Sequence, residues 1–150
     1  LKCSLLLNFY FLCLYLQKGC AAMSKIRRLN LSANVSKLYS DAVLFGDCLS
    51  ISGMLPVDEQ GNIVGKGDAA AQAEQVFRNI GRLLKEAGAD FSQVVKLNIY
   101  LTNIDDRTAI RPVREKYFPP ETLPACTLLE ISRLAQPDAL MEIEALVYLG

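Results

Sequence analysis

The sequence contains no histidine. That absence removes Ser/His/Asp triads, Cys/His dyads and His-bearing zinc sites together, and leaves general acid or base work to carboxylates, tyrosine, lysine, cysteine or bound water. Net charge is missing as well: sixteen Lys and Arg balance sixteen Asp and Glu. No overall field draws such a chain onto a phosphate backbone, so nucleic acid is not the expected partner. Of the five cysteines, Cys3, Cys13 and Cys20 lie in the first twenty residues, only Cys48 and Cys126 follow, and no CxxC pair occurs. Neither a disulfide framework nor a cysteine-rich metal site is expected, and the reading is a reducing compartment, the cytoplasm. Gly61, Gly65 and Gly67 fall in neither a GxGxxG nor a GKS/T string, which removes the phosphate-binding fingerprints. Internal repeats, low-complexity tracts and interdomain linkers are also lacking.

What is present is a chain of 150 residues, 51% of them hydrophobic and 21% charged, the length and balance of one globular domain. Its head has a different texture. Leu5 to Leu16 is an almost unbroken apolar run of twelve residues, flanked by Lys2 and Lys18 and followed by Gly19-Cys20-Ala21-Ala22. The outline is signal-like, yet it is shorter than the ~20 residues of a bilayer-crossing helix, so stable membrane insertion is not expected. The first Met is Met23. Residues 1–22 are read as a leader outside the domain, either a start placed too early or a targeting peptide, with a structural element as the third option. The domain is read as 23–150. A genuine targeting peptide would change the compartment to organellar or secreted.

Along the domain, Ala42 to Phe45 and Cys48 to Ser52 flank Gly46-Asp47, a two-residue turn signal between apolar runs, and predict a hairpin. Gly53, Pro56, Gly61, Gly65 and Gly67 predict a loop or ragged strand edge. Asp68 suits a helix N-cap, and Ala73, Val76, Phe77, Ile80, Leu83, Leu84 and Ala87 recur at helical spacing until Gly88. Val95, Leu97, Ile99 and Leu101 then alternate with Lys96, Asn98 and Tyr100, as in a strand with one covered face. A shorter helix is expected between Asp106 and Phe118, its start blurred by Pro112, which biases Arg111 away from helical backbone. Thr127 to Ser132 and Met141 to Leu149 predict two last strands, giving an α+β fold in the order ββαβαββ. Two helices cannot cover both faces of a sheet, so self-association is expected.

Several strings narrow the class: Tyr39-Ser40-Asp41-Ala42-Val43, Ile51-Ser52-Gly53-Met54-Leu55-Pro56, Val94-Val95-Lys96-Leu97, Leu123-Pro124-Ala125-Cys126-Thr127 and Glu142-Ile143-Glu144-Ala145. In order and spacing, over about Lys25 to Leu149, the chain resembles the Rid (YjgF-type, endoribonuclease L-PSP) family. That resemblance implies a chorismate-mutase-like (ferredoxin-like) domain, a homotrimer with clefts between subunits that take small carboxylates, and hydrolysis of reactive imines or enamines such as 2-iminopropanoate without metal or organic cofactor. Residue by residue, it implies that Glu142 positions the attacking water and that Tyr39 and Ser52 shape the cleft. The family's carboxylate-gripping arginine belongs in a Pro-Ala-Arg-Ser string, and here Cys126 replaces it. A neutral thiol lacks the permanently charged bidentate fork, so turnover of 2-iminopropanoate is expected to be weak. Arg111 stands where the family usually has an asparagine near the cleft, and could supply the guanidinium from another wall.

Plainer readings compete at each position. Arg111 with Arg107, Arg114 and Lys116 also fits a solvated helix face. Cys126 fits a small buried residue, with a nucleophile as its sharper alternative. Glu142 fits an exposed strand carboxylate, Tyr39 a packing aromatic, and Ser52 a tight turn. Two other functions stay open: a binding or regulatory trimer without chemistry, and the ribonuclease (translation-inhibiting) activity of some family members. Zero net charge, no histidine and no interleaving of aromatic with basic residues argue against the second.

Overall fold

The computed structural model describes residues 26–31 and 38–150; the apolar head read as a leader lies outside the described residues. From Ala42 onward the elements follow the order expected: β2 (Ala42–Phe45), β3 (Cys48–Met54), α1 (Ala69–Ala87), β4 (Val94–Leu101), α2 (Arg107–Tyr117), β5 (Ala125–Glu130) and β6 (Met141–Tyr148). A further strand, β1 (Arg27–Leu29), precedes them. Three residues, two of them arginine, are too short a run to display alternation. The strands form one mixed sheet in the order β1-β2-β3-β6-β4-β5. Only β4 and β5 run parallel, and α2 is the crossover that a parallel neighbour demands.

Helix α1 is bounded as its sequence indicates. The Asp68 carboxylate accepts the Ala71 N–H at 3.0 Å, and Gly88, with φ of 78°, closes the last turn onto the Leu84 and Lys85 carbonyls. Its stripe of Ala73, Val76, Phe77, Ile80, Leu83 and Leu84 is buried against Leu97, Ile99, Leu101, Ile143 and Val147 of the sheet. The C-terminal turn of α2 joins this layer through stacking of Tyr117 on Phe77, centroids 4.9 Å apart, and edge contacts of Phe118. Fully buried Gln72 ties α1 to the segment before β6: its Nε2 donates to the Asp138 carbonyl at 2.8 Å and its Oε1 accepts the Leu140 N–H at 2.7 Å. Gln72→Ala leaves both main-chain groups unpaired and is expected to cost about 3 kcal/mol, read as a lowered urea midpoint at unchanged slope.

Four local expectations need correction. Val95 does not point into the core: the β4–β6 register shifts between Val94 and Lys96, so Val94 is buried and Val95 is exposed, the effect of a one-residue bulge. Gly53 is not the start of a loop but lies inside β3. Pro112 does not blur α2, which runs unbroken from Arg107 after a single 3-10 turn at Ile104–Asp106. The Thr108 carbonyl that loses its N–H partner to Pro112 lies at the exposed face, where solvent can serve it. Finally, β5 begins two residues earlier than Thr127 and ends at Glu130.

Candidate active site

Strict alternation on β6 buries Met141, Ile143, Ala145 and Val147 beneath the helices and turns Glu142 and Glu144 to the opposite, open face. Pairing with β4 sets Tyr100 beside Glu142 and Asn98 beside Glu144. Asn98 Nδ2 and the Tyr100 hydroxyl both donate to Glu144 Oε2, at 3.1 and 3.2 Å. Both donors converge on one Glu144 oxygen, and burial together with the Glu144 charge raises the Tyr100 hydroxyl pKa. Glu142 differs. Its carboxyl is half-buried, has no hydrogen-bond or ion-pair partner among the described residues, and is raised above the ordinary carboxylate range, first by burial and then by the Glu144 charge. A carboxyl desolvated and left unpaired is poised to take or give a proton nearer neutral pH.

Gly53 explains where that carboxyl lies. A Cβ at position 53 would overlap Glu142 Oε1 and come within 2.6 Å of its Cδ. The φ of Gly53 is ordinary, so the residue is glycine for want of space, not for want of a left-handed backbone. One residue earlier, the Ser52 hydroxyl donates to the Ser40 carbonyl at 2.7 Å and the Ser52 N–H to the Asp41 carbonyl at 2.9 Å. Asp41 in turn accepts the Leu31 N–H at 2.7 Å, tying the segment after β1 to the start of β2. Tyr39 stands next to Ser40 and is 59% exposed. Ser52 is thus a strand residue with a defined partner instead of part of a tight turn. It is bonded to Ser40, the chain neighbour of Tyr39, and is followed by Gly53, against which the Glu142 carboxyl lies. Ser50, Ser52, Lys96, Asn98 and Glu144 line a cavity of about 300 Å³.

Arg111 and Cys126 lie on the other side of the sheet. On β5, Thr127 receives the Lys96 ammonium at 2.7 Å on the open face, whereas Leu128 and Glu130 turn toward α2, Glu130 accepting the Ile104 N–H at 2.9 Å. Cys126, in register with buried Leu97, shares that helix side. It is exposed in the chain, contrary to the reading of a small buried residue, because β5 is an edge strand whose start α2 leaves uncovered. Arg111 is exposed, pairs with Glu115 at 2.9 Å, and lines a cavity of about 410 Å³ floored by Ile99, Ile110 and Leu128. The chain therefore sets Ser52 and Glu142 on the adjacent strands β3 and β6 and holds Arg111 and Cys126 on the helix side of the sheet. Tyr100, Asn98, Glu144 and Gly53 were not singled out by sequence reasoning as site residues. Alternation placed the first three on one face with Glu142, but only the β4–β6 register makes them neighbours.

Among the described residues, no three His, Cys, Asp or Glu side chains converge as a metal site requires, and no helix is long and apolar enough to cross a membrane. Residues 31–149 match the family model described as Endoribonuclease L-PSP. The chain belongs to this family, the Rid or YjgF family. A 2-iminobutanoate/2-iminopropanoate deaminase of Capra hircus is 36% identical over 112 residues, covering 75% of the chain and 80% of that protein. A 3-aminoacrylate deaminase of Acinetobacter baylyi is also 36% identical, covering 73% of the chain and 86% of that protein. A Rid-family protein of Yersinia pestis superposes with a TM-score of 0.77 at 29% identity, over 83% of the chain and 99% of that structure. The α+β architecture of the described residues, two α-helices on a six-stranded sheet, is thus the chorismate-mutase-like fold of the Rid family.

Proposed function

We propose that the chain is a Rid-type hydrolase of small imines or enamines that needs no cofactor. The observation that carries this reading is the half-buried, unpartnered carboxyl of Glu142 held over Gly53, in a family whose relatives include an imine and an enamine deaminase. The Glu142 carboxylate takes a proton from water as the oxygen bonds to the imine carbon and the C=N pair moves onto nitrogen, and Glu142 then passes that proton to the nitrogen. Glu142 next relays the carbinolamine hydroxyl proton to the nitrogen as the C=O bond forms and the C–N bond breaks, releasing ammonia and leaving the 2-keto acid. Tyr39 and Ser52 bound the substrate, and Arg111 holds its carboxylate in place of the guanidinium lost at Cys126.

Self-association would complete this division of labour. The two groups of residues lie on opposite sides of one sheet, and the open face carries Phe45, Leu129, Leu146 and Tyr148 with large exposed surfaces. A homotrimer that covers this face while setting the helix side of one copy against the open face of the next would complete each cleft.

With cysteine at position 126, 2-iminopropanoate is expected to be hydrolysed weakly, and other amino-acid-derived imines faster. Cys126→Arg restores a charge-assisted grip worth roughly 1.5 to 3 kcal/mol per hydrogen bond, so kcat/KM for 2-iminopropanoate is expected to rise at least about tenfold. The assay is release of pyruvate from freshly generated imine. Unchanged slow hydrolysis in Cys126→Arg, with no turnover of any other imine by the natural chain, would favour instead a trimer that binds small carboxylates without chemistry, a reading the missing arginine also suits.

A further inference from the structure

Arg107, Arg111 and Arg114 all line the cavity between α2 and β5. Their spacing of four and three residues places them in one stripe along the helix. Only Arg111 has a carboxylate partner, Glu115; Arg107 and Arg114 have none within ion-pair distance among the described residues. Lys116 of the same helix, outside the lining, pairs with Glu74. Asp105 and Asp106 stand in the turn before α2, outside the lining. The lining thus carries three guanidiniums and no carboxylate, over a floor of Ile99, Ile110 and Leu128, with Glu115 and Glu130 outside it. An arginine stripe that served only solubility would have no reason to face an apolar hollow large enough for a small molecule.

We infer that this cavity binds a small dianion with an apolar body, its hydrocarbon part on Ile99, Ile110 and Leu128, one anionic group at Arg111 and the second between Arg107 and Arg114. The inference rests on Arg111 as the anion holder proposed above, and deepens it: the preferred substrates are imines that carry two negative charges. A dicarboxylate and a phosphate monoester share the required chemistry, because planar guanidinium forks pair with either.

Binding of unreactive probes separates this from the question of turnover. Titration calorimetry on the full chain at low salt compares hexanoate, adipate and hexyl phosphate, which differ in charge and head group over similar carbon skeletons. At least one dianion is expected to bind about tenfold or more tightly than hexanoate, and whichever binds tighter identifies the head group. Arg107→Ala combined with Arg114→Ala is expected to abolish that preference while leaving hexanoate affinity little changed. Lys116→Ala, which removes a cation of the same helix outside the cavity, is expected to preserve it. Equal affinity for hexanoate and both dianions, or a preference that survives the double substitution, overturns the inference. A preference that behaves as expected in a protein without imine turnover would remove the hydrolase reading and leave this one standing.

Discussion

Glu142→Gln is expected to slow imine hydrolysis by about a hundredfold or more and, at the same time, to make the protein more stable near neutral pH. The loss follows from removing the group that takes the proton from the attacking water, an effect typically worth 10²–10⁴ in rate. The gain follows from the position of the carboxyl. Burial and the Glu144 charge raise its pKa above the ordinary 4.5. Between that ordinary value and the raised one, the folded chain keeps a proton that the unfolded chain has released, so stability falls as pH rises through the window, and the charged form still carries the cost above it. Glutamine is neutral throughout and is free of this cost. Thermal unfolding should therefore give a higher Tm for Glu142→Gln at neutral pH, with the difference closing as pH drops below about 4.5, where both states of the natural chain are protonated. A lower Tm for the variant at neutral pH would show that the carboxylate is stabilised by its surroundings, and would remove the physical basis for its role as a base.

Gly53→Ala tests the same carboxyl from the opposite strand. The added methyl would occupy the space of Glu142 Oε1. Because the backbone of Gly53 is not left-handed, alanine is tolerated there, and the flexible end of the Glu142 side chain is what gives way. The expected outcome is a protein whose circular dichroism and Tm stay close to those of the natural chain while kcat/KM drops about a hundredfold, since displacing a reacting group by an ångström costs on that order. Alanine in place of glycine in a strand interior recovers roughly 0.5–1 kcal/mol of backbone entropy, which offsets part of any local crowding. A folded Gly53→Ala variant with full activity would mean that the Glu142 carboxyl is not needed where it lies.

How much of this could be read beforehand depends on which residues signal locally. The α1 helix, with a cap residue at each end and an unbroken apolar stripe, was legible throughout, and so were the hairpin turn at Gly46-Asp47 and the alternation of β6 that turns Glu142 away from the core. The bulge at Val95 was not, because two adjacent valines satisfy either register until the partner strand is known. Strand β1 escaped for want of length. Among site residues, Glu142, Tyr39 and Ser52 stood out through family strings, yet the reason Glu142 matters lies in Gly53 across the β3–β6 pairing and in Glu144 anchored by Tyr100 and Asn98. Those relations span 89 positions at the widest, from Gly53 to Glu142, and no local pattern encodes them. Likewise the arginines of α2 read as a solvated face; the cavity they line is what sets them apart from the other surface cations.

The measurement that bears most directly on the central claim is the rate of 2-keto acid and ammonia release from a panel of amino-acid-derived imines, with the natural chain present and absent, from acid to mildly alkaline pH. The account requires acceleration over the spontaneous reaction for at least one imine, fading as pH falls through the raised pKa of Glu142. Rates equal to the spontaneous ones for every imine at every pH would contradict it.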